Sequence, residues 1–423
     1  MEDQRNFWLY AVGRLVSLIG TGVQDIAVPL FILDITESGT AMGTFMIISM
    51  VPRLVLIPLA GVVGDRVNRK LIMVWMDFGR GAVILLLAFL AAQSLVTIPI
   101  LFIAQFAMSL MNALFGPATM AMLPDIVKED DLTRANSVIG AINSLSGILG
   151  PVLGGIIYGL GGIQIAFLIN GISFVASGIS EVFIRYKQKT RRFEKVNEVV
   201  QDLKGGIHFV GARKGLLTLL VFALVTNFLM APVFGVLVPY VLRIVMNFSA
   251  EQYGMIQTSF VVGLLIGNVI IGTLLAKARI EKMLNGGLLI ESAFMVVFVA
   301  LIFPQVIEIL GYASWALFSC MFVTFMFMGV FNAFVNTPLL VGMQKLTPTE
   351  FRARVFSVVE VTAQGVVPIG FGITGILLDL APAHVISLVL FMISLVVTVL
   401  FVFKYSKEVA KDFNNEKPKE NMG

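Results

Sequence analysis

The chain has 423 residues, of which 58% are hydrophobic and only 13% charged, with a net charge of +4. A soluble domain carries about 25% charged residues; no soluble fold of this length hides so much apolar surface, so lipid must be the solvent for much of it. The single cysteine, Cys320, excludes an internal disulfide, and two histidines give no zinc-ligand cluster. The basic residues are scattered over short loops, which argues against nucleic acid as a partner.

A spanning helix needs about 20 apolar residues. In chain order such segments run over 7–33, 40–63, 71–93, 98–122, 135–160, 163–184, 216–242, 253–276, 284–304, 312–339, 355–379 and 383–404. Internal Gly and Pro do not count against helix, because membrane helices tolerate both. The predicted fold class is an all-α membrane protein of twelve transmembrane helices in two pseudo-symmetric six-helix bundles. Residues Met1–Asn6 are too short and too acidic for a signal-peptide start, so the first segment is expected to stay as a membrane helix.

Of the 30 Lys and Arg residues, Arg14, Arg53 and Arg80 lie inside segments and only Arg243 lies in a loop on the opposite side from all the others. The positive-inside rule then predicts a multi-pass cell-membrane protein with both termini in the cytoplasm. The polar, basic stretch 185–215 is the expected boundary, with amphipathic helical spacing over 193–210. It divides an N-terminal bundle (1–184) from a C-terminal bundle (216–404), and a cytoplasmic tail (405–423) follows. The halves read as degenerate copies: GVVGDRVNRKLI from Gly61 matches GTLLAKARIEKML from Gly272, and EDDLTRANSV before Pro151 matches PTEFRARVFSV before Pro368.

The loop Gly61, Gly64, Asp65, Arg66, Arg69, Lys70 resembles the loop 2–3 signature of the major facilitator superfamily. The runs Leu123-Pro124-Asp125 through Asn136, Gly150-Pro151 through Gly155, and Gln344 through Ser357 resemble its proton-coupled drug exporters, the branch of macrolide efflux proteins and the enterobactin exporter. The resemblance implies that the loop 2–3 residues form a gate, with Asp65 facing the start of segment eleven near Arg354 and Phe356. It also implies that Gly147, Gly150, Pro151, Gly154 and Gly155 let segment five approach segment eight, where Gly263, Gly267 and Gly272 lack bulk.

Segment one carries Arg14 and Asp25 on one face, about 16 Å apart by the rise per residue. A carboxyl at that depth is costly to keep, so Asp25 is the first candidate for proton coupling or cation binding, with Glu360 on segment eleven as a second. Arg53 is a candidate countercharge. Asp77 and Arg80, three residues apart, read as a structural ion pair. Gln105, Ser109 and Asn112 form a polar stripe on segment four; with Asn227, Asn332 and Asn336 in the other half they are candidate cavity-lining residues. Glu181 and Glu291 read as structural.

These residues and the resemblance together imply a secondary transporter, not an enzyme, that exports amphipathic drug-like molecules in exchange for protons. The expected partners are a small-molecule substrate, protons and the bilayer, with no cofactor and no bound metal, in a monomer. The alternatives are an exporter of a metabolite, siderophore or metal ion, and a non-transporting sensor or scaffold on the same fold.

Overall fold

The computed structural model describes residues 2–186, 205–348 and 351–405, with their side chains except at residues 2, 57–66, 353, 354 and 357. The apolar segments fold as helices because in lipid each backbone N–H and C=O must be satisfied within its own segment. They begin with α1 (Glu2–Thr36), α2 (Gly39–Arg66), α3 (Arg69–Ala92) and α4 (Ile98–Ile126). The run Leu132–Val182 is broken at Gly162, where φ is 63°, into α5 (132–161) and α6 (163–182). Only glycine takes that φ without strain, so the Gly161-Gly162 pair makes the turn. Residues 205–211 are helical. Next come α7 (Lys214–Val245), α8 (Ala250–Thr273), α9 (Ile280–Ile302) and α10 (Trp315–Leu346). The last are α11, in two pieces (Arg352–Gly365 and Val367–Leu380), and α12 (Ala383–Tyr405).

Among the described residues 11 helical runs are long and apolar enough to cross a membrane, and dividing one of them at Gly162 yields the predicted twelve spans. The short helix Pro304–Leu310 was not predicted, since seven residues leave no readable period. In α7 the turns Val233–Leu237 and Val241–Val245 widen to π geometry, each just after a proline, Pro232 and Pro239. A proline lacks the N–H of a regular turn, and a wider turn lets the neighbouring carbonyls find other donors. Residues 193–204 of the amphipathic stretch, and the tail beyond Tyr405, lie outside the described residues.

The described residues gather into two compact units, one drawn from Met1–Glu37, Thr44–Val199 and Ser249–Thr258, the other from Ser38–Gly43, Val200–Phe248 and Ser259–Gly423. The first turn of α2 therefore belongs with the second unit, and the start of α8 with the first. In the first unit polarity is inverted relative to a soluble protein. Trp75, Leu86, Phe89 and Ile103 are exposed, while Asp77, Arg80, Asn170 and Glu181 are buried. That is the pattern of a bundle with lipid outside.

Small residues set the closest approaches of the first unit. A Cβ at Gly150 would strike Gly22 of α1, and one at Gly154 would lie 2.9 Å from the Ile26 Cβ, also on α1. A Cβ at Gly155 would run into the carbonyl of Ala250 on α8, and one at Gly254 into that of Pro151 on α5. So α5 does meet α8, but through Gly155 and Gly254. This corrects the expectation for Gly150, Gly154, Gly263, Gly267 and Gly272. In the second unit Gly263 and Gly267 face Met326 and Val330 of α10, and Gly272 has open space. Glycines recur on several faces of these helices, so spacing alone does not say which face meets which neighbour.

In the second unit the free N–H groups that begin α2 are capped from another helix. Asp379 at the end of α11 accepts from Gly39 N at 2.6 Å, Thr40 N at 3.1 Å and Ser38 Oγ at 2.8 Å. A carboxylate at a helix N-terminus satisfies orphan donors and meets the positive end of the dipole.

Candidate functional site

The first unit builds its polar interior in layers between α1, α3, α4 and α6. Gln24 and Asn170, both buried, are joined by a hydrogen bond of 2.5 Å in which Asn170 Nδ2 donates to Gln24 Oε1. Ser173 adds a bond of 3.1 Å to Asn170 Oδ1. The next layer is charged. Asp77 and Arg80 form a buried salt bridge. Arg80 also donates from Nη1 to Asn112 Oδ1 at 2.8 Å, and its guanidinium lies 3.9 Å from the Phe115 ring centre and 4.5 Å from that of Phe174. Glu181 of α6 is 3% exposed and stands beside Asp77. Arg14 and Tyr10 of α1 complete the layer, and Tyr10 donates to the Thr119 carbonyl at 3.2 Å.

The structure places Arg14 near Arg80 and Tyr10, in the layer that holds Asp77 and Glu181. Asp25 is exposed on α1 between buried neighbours, and has no hydrogen-bond or ion-pair partner among the described residues. Arg53 on α2 and Glu360 on α11 are likewise exposed and without a partner among the described residues. The polar stripe of α4 ties helices together: Gln105 Nε2 donates to Ser49 Oγ at 2.8 Å, Ser109 Oγ donates to the Ser49 carbonyl at 2.9 Å, and Asn112 holds Arg80.

Gly61, Gly64, Asp65 and Arg66 of the loop motif, and the Arg354 side chain, lie outside the residues whose side chains are described. Arg69 is buried and donates from Nη1 to Asp125 Oδ2 on α4 at 2.9 Å. The Tyr186 hydroxyl donates to the same oxygen at 3.0 Å. Burial and the adjacent carboxylate push the Tyr186 phenol up to about 12, so it remains a donor. Lys70 Nζ reaches the Val182 carbonyl at 2.7 Å, and Asn68 caps α3 through Lys70 N at 3.0 Å. Sequence spacing missed the Arg69–Asp125 pair, although both residues sit in motif-like runs.

In the second unit Asn332 Nδ2 donates to Glu291 Oε1 at 3.0 Å, and Asn336 Nδ2 to Asn332 Oδ1 at 2.7 Å, a chain from α9 along α10. Phe294 stacks on Phe327 and Phe331 beside it, with ring centres 5.0 Å and 6.0 Å apart. Asn227 instead bonds its own helix, at the Ala223 carbonyl. Glu291 was read as structural; its signal was a lone acid in an apolar run, LLIESAF. Among the described residues no group of His, Cys, Asp and Glu could hold a metal ion.

The profile of the Major Facilitator Superfamily matches residues 10–245 and 220–421. Macrolide efflux protein A of Streptococcus pyogenes is 24% identical over 277 residues, 64% of this chain and 68% of that one. The BacE protein of Bacillus amyloliquefaciens, named for bacilysin export, is 27% identical over 365 residues, 85% of this chain and 84% of that one. A crystal structure of a bacterial homologue of the iron transporter ferroportin, in an inward-facing state, superposes with a TM-score of 0.72 at 19% identity, over 95% of this chain and 99% of that one.

Proposed function

The chain belongs to the Major Facilitator Superfamily, and on that premise we propose that it is a secondary active exporter of amphipathic, drug-like small molecules, driven by protons through alternating access. The observation that carries the reading is Asp25, a carboxyl group without a partner among the described residues in the middle of a membrane span. An acid at that depth costs about 2.5–3.5 kcal/mol to insert, and nothing in the packing of α1 repays it. A carboxyl group of this kind takes up a proton or meets a cationic substrate. Export is the direction in the names of the two relatives above. The sequence holds no Gly-x-x-x-x-Gly-Lys-Ser/Thr run for a nucleotide, so the drive assigned is an ion gradient.

In this reading the Lys- and Arg-rich loops and both termini face the cytoplasm of a cell-membrane monomer. Gly61, Gly64, Asp65, Arg66, Arg69 and Lys70 serve the gate, with Arg69 anchored on Asp125. Asn332, Asn336 and the stacked phenylalanines of α9 and α10 offer a soft, partly aromatic wall to the substrate. Glu360, Arg14 and Arg53 supply secondary charges.

Asp25→Asn is the direct test. In inverted membrane vesicles carrying equal amounts of protein, the variant is expected to lose uphill uptake of a fluorescent lipophilic cation while retaining its thermal transition in detergent. Uphill uptake equal to wild type would remove Asp25 from the site.

A further inference from the structure

The buried charged layer of the first unit holds more than an ion pair. Four groups there carry buried polar atoms with no hydrogen-bond partner among the described residues: Arg14 Nε, Asp77 Oδ2, Ser177 Oγ and Glu181 Oε2. Asp77 and Ser177 have no exposed surface and Glu181 is 3% exposed. Buried orphans of this kind are rare and call for a cause. Here they converge. The carboxyl groups of Asp77 and Glu181 stand within hydrogen-bonding range of each other, on α3 and α6. Helix α6 packs closely on α3 here: a Cβ built on Gly178, one turn before Glu181, would be in van der Waals contact with the Asp77 Cβ at 3.4 Å. Two ionised carboxylates are acceptors only and cannot bond to each other. One proton between them converts two orphan acceptors into an O–H···O bond.

From this geometry we infer that Asp77 and Glu181 share one proton between α3 and α6, and that the pair is a site where the transported proton is taken up and released. The inference rests on the proton-driven reading above. All the charged and titratable groups facing the pair have a place in it. From α3, Arg80 holds Asp77, and from α4, Asn112 and Phe115 hold Arg80 in place. From α1, Arg14 brings a second guanidinium with an unsatisfied Nε, and Tyr10 lies beside it. From α6, Ser177 lies next to Asp77. When the proton leaves, Arg80 stands as the countercharge of Asp77 and also faces the new charge on Glu181, so that charge is not left buried alone.

The test combines spectroscopy with transport. Infrared spectra of the purified full chain in detergent should contain a carboxylic-acid C=O band near neutral pH that disappears in Glu181→Gln. In inverted vesicles Glu181→Gln should still move a fluorescent lipophilic cation down its gradient but lose the response to an imposed pH gradient that wild type shows. If wild type responds and the variant responds equally, the inference is overturned while the exporter reading stands. If wild type itself ignores the gradient, the proton-driven reading fails, and this inference with it. Should Glu181→Gln not fold, Glu181→Asp keeps the carboxyl group but draws it back from Asp77. The infrared band and the pH profile of transport should then both move, and an unmoved pair would equally overturn the assignment.

Discussion

Asp125→Ala is expected to destabilise the protein by about 3–5 kcal/mol, the range for breaking a buried ion pair by removing one partner. The Arg69 and Asp125 side chains are 4% and 1% exposed, so water cannot replace what is lost. The guanidinium would stay buried at the start of α3 without its countercharge, its Nη1 still donating to the Ala121 carbonyl at 3.3 Å, and Tyr186 would lose its acceptor. The pair also joins the ends of α3 and α4, so fraying should begin there. Removing both charges at once, as Arg69→Leu with Asp125→Leu, should recover most of the loss, because the desolvation of both ions disappears with them. Denaturant unfolding in micelles of the single and double variants measures this. A single variant as stable as wild type would show that the pair is solvated.

Gly155→Leu and Gly254→Leu should each abolish transport and lower stability by at least about 3 kcal/mol, the upper end for overpacking a filled interior. At both positions the obstacle is a carbonyl of the facing backbone, Ala250 for Gly155 and Pro151 for Gly254, which no rotamer change can move aside. Gly140→Leu is the control, since nothing lies within 4 Å of a Cβ at Gly140. Leucine favours the bilayer, so insertion of all three variants should be equal. Equal activity of the Gly155 and Gly140 variants would mean that α5 and α8 do not pack as closely as described here.

The spans were legible because lipid demands long apolar runs and leaves few other ways to arrange them. Even the break between α5 and α6 was legible as the gap between the apolar runs 135–160 and 163–184, and it falls at Gly162. Helix ends were less so: α1 begins at Glu2, five residues before its apolar run, because a polar first turn still makes helical hydrogen bonds. Long-range pairing was not legible. Arg69 and Asp125 are 56 residues apart, and Asp379 is 340 from Gly39, so no periodicity links them. Nor does the sequence tell a structural acid from a working one. Asp25 and Glu181 look alike as isolated carboxyls in apolar helices, yet one is exposed without a partner among the described residues and the other is buried against a second acid.

The most direct test of the proton-driven account is counterflow in proteoliposomes containing the purified chain and a trapped pH-sensitive dye. An outward gradient of a lipophilic cation, with membrane potential clamped, should drive protons the opposite way, and a protonophore should abolish the signal. Cation flux that proceeds with no proton movement would contradict the account.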